Sequence, residues 1–193
     1  MKKEIERKWK LTKSQASEFV NKNWPEKCYN IYQGYFYSDD PNREFRVRLM
    51  TNKDDPKDDK AYLTIKDKIY KKERKELEIS IGKDSALLLL NECESFLEKN
   101  RFICSDGLEL NIYKKYKGET DFLAIIEKEF ESIVESEQYV PNFEYEKEVT
   151  YDSAFYNFNL CKKVDKKWWI NTSTVFINKS RYLRYRALTI VLK

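Results

Sequence analysis

The sequence predicts an α+β fold: an eight-stranded antiparallel β-barrel, a tunnel with a charged lumen, with helices packed outside. Three observations predict it. Short segments with period-two alternation recur along the chain, and a strand sends successive side chains to opposite faces. One parity of these segments is apolar, as a face that packs against helices requires. The other parity is charged, and its signs are sorted: Glu4/Glu6, Glu76/Glu78 and Glu127/Glu129 are acidic pairs, while Arg46/Arg48 and Lys99/Arg101 are basic. A solvated surface more often mixes its signs residue by residue. Eight strands leave room inside for one small ligand.

Composition sets the bounds. A chain of 193 residues suits one domain with a sizeable core. With 36% charged and 15% aromatic residues it should fold rather than stay disordered. A net charge of +4 makes no case for a nucleic-acid partner. The charged amino-terminal stretch does not read as a secretory signal, and no apolar run approaches the ~20 residues of a membrane span. Cys28, Cys93, Cys104 and Cys161 form no CxxC pair, which fits a reduced, cytoplasmic protein. The chain has no histidine. That removes the usual general base and argues against zinc, so catalysis would fall to carboxylates, lysine or a metal-bound water.

Each element follows from its residues. Glu4 to Trp9 alternates, with Glu4, Glu6 and Lys8 on one face. Thr12 and Gln15 form a capping box for a short helix whose apolar face is Ala16, Phe19 and Val20, closed by Pro25. Cys28 to Ser38 is an aromatic-rich strand, packing the barrel rather than stacking RNA bases. Asp39 to Asn42 is a turn. Glu44 to Leu49 places Arg46 and Arg48 together, and 52–60 is a charged loop. Ala61 to Lys66 sets Thr64 and Lys66 opposite Leu63 and Ile65. Arg74, Glu76 and Glu78 stand opposite Leu77 and Ile79. The spacing of Leu87, Leu90, Cys93 and Leu97 predicts one helix from a cap at Asp84 to about Asn100. Leu108 to Ile112 alternates again, with Glu109 and Asn111 opposed to the aliphatics. Phe122 to Glu131 carries Glu127 and Glu129. Tyr145 to Thr150 reads as a last strand, and Asp152 as the cap of a helix reaching Leu160.

The sorted charges define a chemistry. Buried ions must be paired or bind counter-ions. Converging carboxylates with no nitrogen ligand suit Mg²⁺ or Mn²⁺, and clustered arginines and lysines suit phosphate oxygens. The expected ligand is a metal-bound polyphosphate.

Glu4-Ile5-Glu6-Arg7-Lys8 resembles the ExExK signature of the CYTH superfamily, the triphosphate tunnel metalloenzymes. The resemblance continues in order through Gln33-Gly34-Tyr35, Arg46-Val47-Arg48, Leu63 to Lys66, Arg74 to Glu78, Lys99-Asn100-Arg101, Glu127 to Phe130 and Lys147 to Thr150. Tyr156 to Leu160 resembles the end of the small bacterial inorganic triphosphatase branch. It spans residues 1–160, leaving 161–193 as an extension of undetermined role, with a packing or homodimer contact as the simple expectation. The resemblance implies an eight-stranded tunnel that hydrolyses triphosphates, inorganic tripolyphosphate first among them. A class IV-type adenylyl cyclase, or a non-catalytic polyphosphate-binding module, are the alternatives. It also implies roles. Glu4, Glu6, Glu127 and Glu129 would hold Mg²⁺ or Mn²⁺. Lys8, Arg46, Arg48, Lys66, Arg74, Lys99 and Arg101 would grip phosphate. Glu76 and Glu78, with Lys8, would serve the chemical step. Where relatives carry Glu-x-Asp, this chain has Glu109-Leu110-Asn111, which implies a weaker hold on a cation at that wall.

Overall fold

A computed structural model describes residues 2–40, 42–52, 54–67, 74–116 and 122–163. Its strands are β1 (Lys2–Glu4), β2 (Glu6–Leu11), β3 (Lys27–Tyr35), β4 (Arg43–Asn52), β5 (Lys60–Asp67), β6 (Arg74–Ser80), β7 (Ser95–Ile103), β8 (Leu108–Lys115), β9 (Ala124–Glu129), β10 (Lys147–Glu148) and β11 (Lys162–Lys163). The helices are α1 (Lys13–Lys22), α2 (Lys83–Asn91), α3 (Ile133–Gln138) and α4 (Asn157–Leu160). Every strand pairing is antiparallel.

The class is α+β, but the barrel differs from expectation. The hydrogen-bonded path holds ten strands, β1-β6-β5-β4-β3-β7-β8-β9-β2-β10, with β11 attached to β7, and it does not close into a ring. The amino-terminal segment explains the open seam and one of the two extra strands, and β7 is the other. That segment is split at Ile5, so that β1 pairs with β6 while β2 pairs with β9 and β10. β1, at one end of the path, and β2, next to last at the other, are thus one residue apart in the chain, and no continuous ladder joins them at that seam.

The helix expected over 84–100 is really a helix followed by a strand. α2 ends at Asn91, its amino-terminal cap position is Gly82 rather than Asp84, and β7 runs beside β3 from Ser95. The apolar spacing misleads because Leu90 lies on the helix, Cys93 in the connection after it and Leu97 on the strand, with no glycine or proline between them. The strand expected over 145–150 shrinks to Lys147–Glu148. Asp152 caps a single 3₁₀ turn, Ser153–Phe155, ahead of the short α4. The Thr12–Gln15 capping box forms in both directions, Gln15 N to Thr12 Oγ1 at 3.3 Å and Thr12 N to Gln15 Oε1 at 2.9 Å. Residues 164–193 and Lys71-Lys72 lie outside the described residues.

Two clusters cover the outside of the sheet. Trp9, Leu11, Leu110 and Ile126 pack on Ala16, Phe19 and Val20 of α1, and Val47, Leu49 and Ala61 pack on Ala86, Leu90 and Cys93. β6 is the exception, since Leu77 and Ile79 remain 42% and 46% exposed. A third cluster sits on the parity expected to be charged: Tyr35, Leu97, Tyr113 and Ile125 pack with Leu160 and Cys161. The inner face is therefore apolar toward one end, where Phe158 meets Tyr35 edge-on at 5.3 Å.

At Gly34 the sheet touches the end of α2. A Cβ there would lie 2.5 Å from Cys93 Sγ and 2.8 Å from Cys93 Cβ. Gly34→Ala should therefore destabilise the protein by about 1–3 kcal/mol, read as a lower denaturant midpoint at unchanged slope.

Candidate polyphosphate site

The charged part of the inner face lines a cavity of about 690 Å³. Its walls bring Glu4, Glu6, Glu44, Glu76, Glu78, Glu109, Glu127 and Glu129 against Lys8, Arg46, Arg48, Lys66, Arg101 and Lys128. Eight carboxylates face six cations, so the cavity has more negative groups than its own cations balance. Tyr35, Tyr156, Asn157 and Phe158 complete the lining toward the apolar end.

Register explains how strands far apart in sequence meet here. Glu6 lies directly opposite Glu129, and Lys8 opposite Glu127, across β2 and β9. Glu109 faces Glu127 across β8 and β9, Arg101 faces Asn111 across β7 and β8, and Lys66 faces Glu76 across β5 and β6. Arg74 opens β6 opposite Glu4.

Each cation has a defined set of acids. Lys66 Nζ lies 2.6 and 2.8 Å from the two oxygens of Glu4 and 3.3 Å from Glu76. Burial opposes ionisation of Glu4, but Lys66 outweighs it and holds the carboxyl down at about 2. Lys8 bridges Glu6 at 3.0 Å and Glu127 at 3.2 Å. Burial alone would make Lys8 a weaker base; Glu127 and Glu6 reverse that and raise it. Glu6 goes the other way: burial pushes its carboxyl up, and Glu4 and Glu127 add to the push against Lys8. Arg46 reaches Thr64 Oγ1 at 3.1 Å, Glu76 at 3.3 Å and Glu78 at 3.4 Å.

Arg48 is the least satisfied of these cations. Its ion pair with Glu78 is 3.8 Å long, and its Nε is buried with no hydrogen-bond partner. Burial, together with Arg46 and Arg101, lowers it to about 10. Lys99 stands behind the wall, 1% exposed, with no hydrogen bond to Nζ. It lies 4.0 Å from Glu127 and over the Tyr113 ring at 5.2 Å. Burial and the neighbouring Arg101, Arg48 and Lys8 depress it well below the usual lysine range.

The predicted acids and, of the predicted cations, Lys8, Arg46, Arg48, Lys66 and Arg101 are thus gathered round one cavity, Lys99 is not on its surface, and Arg74 is placed by backbone register alone. Period-two parity alone identified them. It missed Gln33, Glu44, Lys128 and the 156–158 segment. Glu44 was readable, since it shares the parity of Arg46 and Arg48. Tyr156 to Phe158 was not, because a short helix across an opening leaves no periodic signal.

The donor set allows a test of the metal expectation. Among the described residues, no group of three or more acidic, cysteine or histidine side chains is placed to hold a metal ion. A closed protein cage is therefore absent there. The chemistry still fits Mg²⁺ or Mn²⁺ held by one or two carboxylates and by phosphate oxygens together. Glu6 and Glu129, directly opposite one another across β2 and β9, are two carboxylates of that kind.

No protein-family model matches the chain, and no curated protein matches its sequence. Solved structures do resemble it. The inorganic triphosphatase NE1496 is 24% identical, over 83% of this chain and 95% of that one, with a TM-score of 0.49. A conserved hypothetical protein from Pyrococcus furiosus is 21% identical, over 69% and 83%, with a TM-score of 0.49. HpAC1 from Hippeastrum, described as a candidate adenylyl cyclase with a dominant triphosphatase activity, is 14% identical over 69% and 82%, with a TM-score of 0.44.

Proposed function

We propose that the cavity binds a triphosphate and hydrolyses one of its phosphoanhydride bonds, with inorganic tripolyphosphate and a divalent ion, Mg²⁺ or Mn²⁺, as the substrate pair. The observation that carries this reading is Arg48. A largely buried guanidinium lowered to about 10, with a buried Nε that has no hydrogen-bond partner and one long ion pair, is a cation awaiting an anion. Planar guanidinium groups suit phosphate oxygens in particular, and Arg46, Arg101 and Lys66 flank it on the same cavity.

In this reading Arg46, Arg48, Lys66 and Arg101 hold the phosphate oxygens, exchanging part of their pairing with carboxylates for pairing with substrate. Lys8, kept charged between Glu6 and Glu127, stabilises charge developing on the transferred phosphoryl group. Glu78, bonded through Thr64 Oγ1 at 3.1 Å, and Glu76 orient a water and accept its proton. Glu6, Glu129, Glu4 and Glu127 would hold the divalent ion, which when bound would polarise a phosphoryl oxygen.

The decisive experiment supplies tripolyphosphate with Mg²⁺ or Mn²⁺ and measures phosphate release, with excess chelator as control. Release that stops reversibly in chelator is the expected result. Cyclic AMP formed from ATP would point to the cyclase reaction instead. Tight binding without products would make the chain a binding module.

A further inference from the structure

Asn111 is the fully buried polar residue at the centre of one wall. Its amide is used on both sides. Oδ1 accepts from Arg101 Nε at 2.9 Å, and Nδ2 donates to Glu127 Oε2 at 3.0 Å and to the backbone carbonyl of Glu109 at 3.2 Å. The same Glu127 oxygen receives Arg101 Nη2 at 2.9 Å, which closes a ring of three side chains. Arg101 Nη1 pairs with Glu109 at 2.5 Å. All three nitrogens of the guanidinium are thus fixed, and its plane is set by Asn111 as much as by the acids.

An amide is needed for this ring. One end must accept from a guanidinium while the other donates to a carboxylate, and an ionised carboxylate can only accept. An aspartate at 111 would place a third negative group beside Glu109 and Glu127, which already face each other across β8 and β9. Such a wall would attract a cation. With asparagine, Arg101 is shared by the two acids, Lys8 pairs with Glu127 as well, and the amide bonds Glu127 without adding charge.

We infer that Asn111 is a positioning residue that holds Arg101 as a phosphate ligand and makes this wall an anion-binding surface rather than a second metal-binding one. The inference rests on the triphosphate reading and adds to it a division of labour: phosphate on the Arg101–Asn111 wall, the divalent ion on the Glu6–Glu129 wall. Asn111 acts through Arg101 and need not touch the substrate.

The test is calorimetric binding of tripolyphosphate in excess chelator, where the metal wall contributes nothing, alongside steady-state kinetics at saturating Mg²⁺. Asn111→Asp should bind roughly tenfold or more weakly in chelator, because a third carboxylate draws on Arg101 and costs the phosphate its charge-assisted hydrogen bond from that guanidinium. Its KM should rise by about as much, with kcat within about twofold. In the ligand-free protein it should bind Mn²⁺ more tightly than wild type, read by electron paramagnetic resonance. Asn111→Ala, which buries no new charge, should also weaken tripolyphosphate but leave Mn²⁺ binding unchanged; this keeps the test intact if the aspartate variant does not fold. Wild-type affinity in both variants, or a loss confined to kcat, would overturn the inference. A wild-type protein that binds no tripolyphosphate, with or without Mg²⁺, would overturn the triphosphate reading itself. That failure is distinguishable because it needs no variant.

Discussion

Glu6→Gln is expected to lower turnover on tripolyphosphate by on the order of a hundredfold or more, while leaving the ligand-free protein more stable than wild type. The two effects have one cause. Glu6 is a partly buried carboxyl raised above its ordinary value by desolvation, with Glu4 and Glu127 adding to the rise. An acid whose folded pKa exceeds its unfolded one destabilises the fold at neutral pH, and that effect fades as pH falls and both states become protonated. A neutral amide removes the repulsion, and Lys8 keeps its pair with Glu127 at 3.2 Å. The same amide removes a charged ligand opposite Glu129, so hold on the divalent ion should fail. Initial rates at saturating Mg²⁺ and thermal melts without ligand test both halves. Full turnover in the variant would remove Glu6 from the metal wall, and a lower melting temperature would show that the carboxylate stabilises the empty site.

Lys66→Met should give the largest loss of stability. It leaves Glu4, now bonded at 2.6 and 2.8 Å, buried without that partner. Stranding one member of a buried pair costs about 3–5 kcal/mol, or roughly 6–20 °C in melting temperature for a chain of this size. The pH dependence separates charge from packing. In the wild type, Glu4 sits near 2 against an ordinary value of 4.5. Its contribution is therefore present above about pH 4.5 and is lost as pH falls through 2. Without Lys66 that depression largely disappears, so the deficit relative to wild type should be widest near pH 7 and narrow toward pH 4 as Glu4 takes up a proton. Melting curves of both proteins across that range decide it. A deficit constant with pH would falsify the electrostatic account and assign the loss to the missing aliphatic stem and its contacts.

Most of the site was legible in the sequence because a strand's side-chain period is two and does not depend on tertiary context. Glu4/Glu6, Arg46/Arg48, Glu76/Glu78 and Glu127/Glu129 all line the cavity as their parity implied. Register was not legible. Nothing in the sequence places Glu6 opposite Glu129 or joins Arg101, Asn111 and Glu127 in a ring, because pairing depends on which strands become neighbours. The boundary between α2 and β7 was hidden for a related reason. Leu90, Cys93 and Leu97 are all buried, so one helical stripe and a helix followed by a strand leave the same apolar spacing. The inner apolar cluster was missed because Tyr35, Leu97, Tyr113 and Ile125 continue charged parities into an enclosed end. Alternation marks which face a residue shares, not how far along the cavity it sits.

The break at Ile5 has a consequence for how the chain is made. β2 must find β9, with position 6 registered against position 129, and β1 must find β6, with position 4 against position 74. During synthesis β1 therefore waits for residues 74–76, and β2 waits for residues 124–129, by which point most of the domain exists. Long-range pairing of this kind slows folding and leaves strand edges exposed in the interim. The residues that wait include Glu4, Glu6 and Lys8, so the ligand cavity is the last part to be assembled. On the triphosphate reading, a polyanion bound by the cations neighbouring Glu4 and Lys8 would favour that final step over pairing with a neighbouring nascent chain.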